Sequence, residues 1–137
     1  MREPRPSLAD LIARRSRING RGVFAVRALP ARRKLGELTG RLVRLPAARR
    51  QVENRRRIFL VELTTRTALD CSAGNVLRHL NHACAPNCYL RVRGFVIEVY
   101  TLRPLAVGEE LTIDYGQTPH RGGMRCTCGA PGCRGRL

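Results

Sequence analysis

The apolar positions of the chain come in short runs separated by glycine, proline or polar turns, a pattern typical of β-strands. One run, Val23–Val26, follows the turn Gly20-Arg21-Gly22 and has the composition of a buried strand. Hairpins are predicted across Gly40 and across Arg93-Gly94. The pattern therefore predicts a mostly β fold with strands at Val23–Val26, Leu35–Leu38, Leu42–Leu45, Ile58–Leu63, Thr67–Leu69, Tyr89–Val92, Phe95–Thr101 and Leu111–Ile113.

Two short helical segments are predicted between these strands. Pro46 stands in the first turn of one, which continues through Arg49–Arg57 with almost no apolar face, so we expect it on the surface. The other is a single turn, Val76–Leu80, that follows Gly74-Asn75.

Length and charge limit the classes to which the protein can belong. A chain of 137 residues fits one compact domain, and 43% hydrophobic content excludes the disordered and fibrous classes. The formal net charge is +16, which favours a partner with negative charge, although a GC-rich genome would also enrich arginine. Lys34 is the only lysine.

Targeting signals are not recognisable in the sequence. Met1–Asp10 has no apolar stretch of the length that a signal peptide needs, and no run reaches the roughly 18 apolar residues of a membrane span. We therefore expect no membrane association and an intracellular, reducing location. That location is cytoplasm or nucleoid in a bacterium, or chromatin in a eukaryote.

Composition divides the chain into three parts. Residues 1–17 carry several arginines and two prolines and are predicted to be a basic arm, and residues 18–117 hold the predicted strands. Residues 118–137 consist mainly of Gly, Pro, Arg and Cys, with little to pack. Such a tail needs a cross-link or a metal to be ordered.

The tail contains Cys126, Cys128 and Cys133 in a C-x-C-x4-C pattern. A structural zinc ion takes four Cys or His ligands in a tetrahedron, so these three cysteines require one more ligand from elsewhere. Cys84 and Cys88 are the candidates by chemistry, and free surface thiols are the alternative interpretation.

Four motifs together resemble the SET-domain protein-lysine methyltransferases. Residues 78–88 resemble the family pattern R-x-x-N-H-x-C-x-P-N-C, and residues 108–115 resemble G-E-E-L-x-x-D-Y. The tail from Cys126 onward is similar to the post-SET zinc motif, and Gly20–Phe24 resembles the first glycine motif. All four stand in the family's order across residues 18–137, which makes the set specific.

The resemblance implies a SET-domain fold of several small β-sheets with short helices. It also implies a C-terminal pseudo-knot, an exception to the usual rule against threaded connections. Cys84 would then be the fourth zinc ligand beside Cys126, Cys128 and Cys133, and Cys71 and Cys88 would be buried in the core. No disulfide is expected.

The resemblance also implies the chemistry, which is methyl transfer from S-adenosylmethionine to a lysine nitrogen. Tyr115 corresponds to the family's catalytic tyrosine, which we interpret as a group that positions the reacting amine. The residues expected to bind the cofactor are Asn19, Gly20, Arg21, Gly22, Phe59, Arg78, Asn81, His82 and Thr127. Ile113 lies at the position where relatives often carry the aromatic residue that sets the methylation state, so that state is left open, and Leu38 also replaces a common aromatic.

The expected substrate is a histone or another basic nucleoprotein with a target lysine. Because the insert Arg49–Arg57 would repel a cationic peptide, we expect nucleic acid to assist targeting through phosphate contacts. A homodimer is a further hypothesis. The alternative function is a catalytically weak, zinc-bound basic module with a SET-like shape that binds nucleic acid.

Overall fold

Ten short strands and two single-turn 3₁₀ helices form the secondary structure of the described residues, 4–45, 60–115 and 126–135, in this computed structural model. The helices are too short to cross a bilayer. In chain order the elements are a 3₁₀ helix at Leu8–Asp10, β1 Leu11–Arg15, β2 Arg21–Ala25, β3 Lys34–Glu37, β4 Arg41–Arg44, β5 Leu60–Glu62, β6 Thr67–Asp70, a 3₁₀ helix at Val76–His79, β7 Asn81–His82, β8 Cys88–Arg93, β9 Val96–Thr101 and β10 Glu110–Ile113.

The strands form three small sheets, which confirms the predicted fold class. One sheet has four strands in the order β1-β2-β10-β7, and the others have the orders β3-β9-β8 and β4-β6-β5. Most pairs are antiparallel, whereas β7 runs parallel to β10 through the pairs Asn81–Thr112 and His82–Ile113. The threading of the predicted pseudo-knot involves residues 116–125, which lie outside the described residues, as does the predicted helix at Pro46 to Arg57.

The predicted hairpin across Gly40 is wrong, because its two strands belong to different sheets. β3 pairs with β9, and β4 pairs with β6. A Cβ atom on Gly40 would lie 2.3 Å from the carbonyl oxygen of Asp70. The glycine therefore permits close passage over another strand rather than a tight turn. The other predicted hairpin, across Arg93-Gly94, is confirmed as β8–β9.

The stretch predicted to be a basic arm contributes β1 to the four-stranded sheet. All five of its residues pair with β2, from Leu11–Ala25 to Arg15–Arg21. Leu11 is buried, but the strand ends in two arginines, so its sequence does not show the alternation of apolar and polar residues that predicts a strand. Before β1, the side chain of Ser7 caps the first 3₁₀ helix together with Asp10.

The core lies between the sheets and contains mainly aliphatic side chains. Val23, Leu111, Ile97 and Val99 are fully buried, and Leu77 of the second 3₁₀ helix packs with them. The core also includes Cys71 and Cys88, as predicted. Burial raises the pKa of the Cys71 thiol to about 11 and that of the Cys88 thiol to about 12, so both remain neutral.

The outer face of the β3-β9-β8 sheet carries a tyrosine pair. The rings of Tyr89 and Tyr100 are stacked with centroids 5.4 Å apart, and these residues are cross-strand neighbours. Both tyrosines therefore pack on the sheet, as the sequence predicted.

A buried asparagine holds β10 against the loop that precedes β8. Asn87 accepts a hydrogen bond from the Thr112 backbone N–H at 2.8 Å and donates one to the Glu110 carbonyl at 2.8 Å. It has an exposed fraction of only 4%. The side chain thus satisfies two backbone groups of the strand that precedes Tyr115.

We expect Asn87→Ala to lower the free energy of unfolding by about 3 kcal/mol, because it leaves a buried backbone donor and a buried acceptor without partners. Chemical denaturation of the zinc-loaded protein measures this change. Asn75→Ala is the matched control, since Asn75 also accepts from one backbone N–H, that of Leu77, and donates to one carbonyl, that of Glu37, but in a less buried position, so its loss should cost only about 1 kcal/mol. Equal losses in the two variants would contradict the role assigned to Asn87.

Candidate active site

The turn between β1 and β2 is closely packed against β10. The Ser16 backbone N–H donates to the Gly20 carbonyl at 2.8 Å, and Gly20 has a φ of 45°, which favours glycine. A Cβ atom on Gly22 would lie 2.3 Å from Glu110 Oε2. The glycines of the motif therefore have two separate roles, a left-handed turn and a close approach to β10.

Asn81 attaches this turn to β7. Its buried amide nitrogen lies 3.0 Å from the Asn19 carbonyl oxygen and 3.1 Å from that of Arg21. The same nitrogen lies 3.0 Å from Glu110 Oε2, so its two hydrogens are shared among three acceptors. The structure thus brings together the predicted cofactor residues Asn19 to Gly22 and Asn81.

His82 lies between Tyr115 and the cysteines. Its Nδ1 accepts a hydrogen bond from the Tyr115 backbone N–H at 2.9 Å, so this nitrogen carries no proton. Its Nε2 lies 3.4 Å from Cys84 Sγ, toward which the ring hydrogen can point. The rings of His82 and Tyr115 meet edge to face with centroids 5.5 Å apart. One imidazole therefore contacts both the predicted catalytic residue and a predicted metal ligand.

The Tyr115 hydroxyl donates a hydrogen bond to the Leu80 carbonyl oxygen. Because this bond uses the only hydroxyl hydrogen, the phenolic oxygen can act toward any further group only as an acceptor. An oxygen held in this way can accept a hydrogen bond from an amine or contact a polarised methyl group. This geometry suits a positioning role better than that of a proton donor.

Four cysteines converge at the C-terminal end of the described chain. The sulfur atoms of Cys84, Cys126, Cys128 and Cys133 all lie within 4.8 Å of one another. The Cys84–Cys126 and Cys84–Cys133 separations are 3.8 and 4.0 Å. A tetrahedron with zinc–sulfur bonds of about 2.3 Å has edges of about 3.8 Å. The four cysteines can therefore hold a zinc ion, and all six cysteines of the chain are free of disulfides.

Backbone amides around the cluster favour thiolates. The N–H groups of Arg134, Ala130 and Gly135 point at the sulfurs of Cys84, Cys128 and Cys133 at 3.3, 3.5 and 3.4 Å. The Arg134 N–H and the His82 ring lower the pKa of Cys84 to about 7.

In contrast, burial raises the pKa of Cys126 to about 12, and its thiol neighbours add to this shift. Although burial opposes the shift, the backbone N–H groups of Cys84 and Ala130 lower the pKa of Cys128 to about 6. The cluster therefore begins to ionise at Cys128 and Cys84, and a bound metal ion would be needed to deprotonate all four sulfurs.

The cysteine segment contacts the glycine turn and β10. Thr127, between two of the cysteines, donates its hydroxyl hydrogen to the Ile18 carbonyl at 2.5 Å. Arg134 forms an ion pair with Asp114 at 2.9 Å, and its Nη2 lies 3.2 Å from His82 Nε2. The cysteine segment is thus joined to the glycine turn through Thr127 and to His82 and Asp114 through Arg134.

One predicted cofactor residue, Arg78, has its hydrogen bonds outside the glycine turn, and another is not described. The guanidinium of Arg78 donates to the Ser72 carbonyl at 2.7 Å and to the ring of His79 at 3.1 Å, and Phe59 lies outside the described residues. Sequence reasoning missed Ser16 and assigned Glu110 to surface polarity. The one signal in the sequence was Gly22 itself, because a glycine inside a strand indicates that another group packs closely against that position.

Comparison with known proteins gives consistent matches. The SET domain model matches residues 20–116. The chain is 32% identical over 133 residues to Histone-lysine N-methyltransferase SETD1 of Drosophila melanogaster, which covers 90% of this chain and 8% of that protein. It is 34% identical over 135 residues to Histone-lysine N-methyltransferase SETD1A of Homo sapiens, an alignment that covers 90% of this chain and 8% of that protein.

A third relative is the Histone-lysine N-methyltransferase, H3 lysine-4 specific, of Schizosaccharomyces pombe. The chain is 35% identical to it over 132 residues, which is 89% of this chain and 14% of that protein. The chain thus spans between 8% and 14% of the length of these relatives.

We expect the purified protein to contain one zinc ion per chain, since four sulfurs at tetrahedral spacing supply a complete ligand set. Metal analysis measures the stoichiometry, and Cys133→Ser should abolish stoichiometric binding. Cys71→Ser is the control, because Cys71 is buried outside the cluster and should keep the metal in any folded protein. If protein purified without any chelator contained no zinc, the assignment of the four cysteines as metal ligands would be contradicted.

Proposed function

The chain belongs to the SET-domain family, as its motifs predicted, and on this basis we propose that it is a protein-lysine N-methyltransferase that uses S-adenosylmethionine. The main support is the position of Tyr115, whose hydroxyl is bound by the Leu80 carbonyl beside Asn81, His82 and the glycine turn. As part of this proposal, residues 18–117 form the catalytic domain and residues 118–137 a zinc-binding tail.

The proposed reaction is an in-line displacement, for which alignment is the main requirement. When bound, S-adenosylmethionine supplies a methyl group on a positively charged sulfur. The attacking lysine nitrogen must be neutral, although its ordinary pKa is about 10.4. The Tyr115 oxygen can orient that nitrogen by accepting one of its hydrogens.

The proposed cofactor site consists of the glycine turn and β7. Asn19, Gly20, Arg21 and Gly22 present backbone groups, and Asn81 holds them by hydrogen bonds to two of their carbonyls. His82 and Thr127 complete the set from β7 and the tail. Phe59 stays a prediction, and Arg78 would have to exchange its hydrogen bond to Ser72 to join the site.

The proposed substrate is a histone or another basic nucleoprotein. The relatives are named histone-lysine methyltransferases, and one further feature of this chain agrees with a nucleoprotein target. The net charge is +16, which favours association with nucleic acid, and a chromatin-associated location would follow from such a substrate. Homodimerisation stays a prediction, and analytical ultracentrifugation can test it by measuring the mass of the protein in solution.

Arginines around the β1–β2 turn form the best-defined basic surface among the described residues. Arg14, Arg15, Arg17 and Arg21 lie within eight consecutive positions and are all exposed. Arg15 and Arg21 face each other across the two strands, an unfavourable placement of like charges. A phosphate backbone would relieve this repulsion, so we propose that nucleic acid binds at this turn.

The first test is methyl transfer. Incubation with labelled S-adenosylmethionine and histones should label lysine, and Tyr115→Phe should lower the rate by at least about 100-fold, because the positioning oxygen is lost. Zinc content and the cofactor Kd should change little. Retention of most of the activity in Tyr115→Phe would contradict the assigned role, and absence of transfer by the unmodified protein would contradict the proposed function.

The Lys34→Arg variant is the matched control for self-labelling, because Lys34 is the only lysine of the chain. Its Nζ lies 2.9 Å from Glu98 Oε2 and 3.5 Å from Glu37, and the Glu98 carboxylate raises its pKa. A charged ammonium does not attack a methyl group, so we expect little self-labelling and unchanged transfer to histones.

The second test is nucleic-acid binding. Each phosphate contact contributes about 0.9 to the slope of log K against log salt concentration, so Arg15→Gln with Arg17→Gln should lower the slope by about 2. Titration of labelled duplex DNA at several salt concentrations measures the slope. The control pair Arg41→Gln with Arg44→Gln removes the same charge from β4. Equal effects of the two pairs would contradict binding at the β1–β2 turn.

A further inference from the structure

We infer that Glu110 is a positioning residue that holds the β1–β2 turn in the conformation required for the cofactor. This inference rests on the proposed function, because it concerns the cofactor site of that reaction. The evidence is a set of contacts between one carboxylate of β10 and both sides of the turn.

The Glu110 carboxylate accepts hydrogen bonds from two different elements. The Ser16 hydroxyl donates to it, with distances of 2.7 Å to Oε1 and 2.9 Å to Oε2. The Asn81 amide lies 3.0 Å from Oε2. Because Asn81 also contacts the carbonyls of Asn19 and Arg21, the carboxylate orients the group that holds the far side of the turn.

Ser16 transmits this contact to the near side of the turn. Its hydroxyl oxygen accepts a hydrogen bond from the Ile18 backbone N–H at 2.9 Å, and its own N–H donates to the Gly20 carbonyl. A hydroxyl that donates to Glu110 keeps its lone pairs available for Ile18. One carboxylate therefore determines the direction of the Ser16 hydrogen bonds and, through them, the path of residues 16–20.

The contact between Glu110 and Ser16 requires a glycine at position 22. Its ideal Cβ position lies 2.3 Å from Glu110 Oε2 and 3.1 Å from the Ser16 Cβ. Any side chain at this position would displace the carboxylate from Ser16. The glycine thus leaves the space in which Glu110 reaches the turn.

Glu110 also brings a negative charge to the turn. Four arginines lie in or beside the turn, and Arg15 and Arg21 are cross-strand neighbours. The carboxylate contacts Ser16, which stands between Arg15 and Arg17 in the chain. A carboxylate at this position lies beside a cationic stretch of the chain, and Glu110→Gln removes it together with its hydrogen bonds.

The neighbouring Glu109 has different partners and serves as a control. It forms an ion pair with Arg103 and accepts a hydrogen bond from the Ala106 N–H at 3.0 Å. Because Glu109 contacts Arg103 and Ala106 whereas Glu110 contacts Ser16 and Asn81, the two glutamates of the motif act on different parts of the molecule. Substitution of either one by Gln removes the same charge.

The experiment compares Glu110→Gln with Glu109→Gln in the zinc-loaded full chain. We expect Glu110→Gln to raise the Kd for S-adenosylmethionine, measured by calorimetry, by about tenfold, because hydrogen bonds to a charged group are lost. The kcat at saturating cofactor should change by less than about threefold. Amide exchange at Ile18 without cofactor should become faster. Glu109→Gln should change none of these three quantities.

A cofactor Kd unchanged in Glu110→Gln, or raised equally in Glu109→Gln, would overturn the inference. If Glu110→Gln does not fold, Ser16→Ala tests the same contact, and its exchange at Ile18 and cofactor Kd should shift in the same direction. If both single variants fold, the change in cofactor binding free energy in the double variant should be smaller than the sum of the two single changes. If the unmodified protein does not bind S-adenosylmethionine, the proposed function fails, whereas amide exchange at Ile18 still reports on the turn.

Discussion

The pairing of β7 with β10 is the constraint on which the candidate site depends. Only two residue pairs, Asn81–Thr112 and His82–Ile113, join these strands, yet they bring two distant motifs side by side. Asn81 then reaches the glycine turn, and His82 contacts both the Tyr115 backbone and Cys84. The predicted roles of Asn81, His82 and Tyr115 require these two motifs to lie side by side. The interactions that hold β10 in register are therefore as important as the site residues.

The surface charge affects how such a site would be used. Several carboxylates of the described chain are engaged by local donors, as Glu98 is by Lys34 and Glu109 by Arg103. The arginines of the β1–β2 turn, in contrast, are exposed at the surface. A cationic enzyme that acts on a cationic substrate needs an anionic surface between the two, and nucleic acid is the polyanion that accompanies basic nucleoproteins.

Much of the fold and of the site could be predicted from the sequence. The β8–β9 hairpin, the second 3₁₀ helix and the cysteine cluster follow from local patterns or from motif spacing. The supposed hairpin at Gly40 failed because a glycine between two apolar runs looks the same in a turn and in a close crossing of strands. β1 was missed because its arginines mask a short alternation, and Glu110 was missed because its partners are distant in the sequence.

The sequence by itself determined which residues are the candidates for the chemistry, because their side-chain types and spacing are local properties that the motifs preserve. The tertiary structure alone decided the partners of each group: Ser16 and Asn81 for Glu110, Leu80 for the Tyr115 hydroxyl, and Cys84 for His82. The physical reason is that hydrogen bonds and packing depend on distances between strands that are far apart in the chain. Only the folded arrangement of the sheets sets those distances.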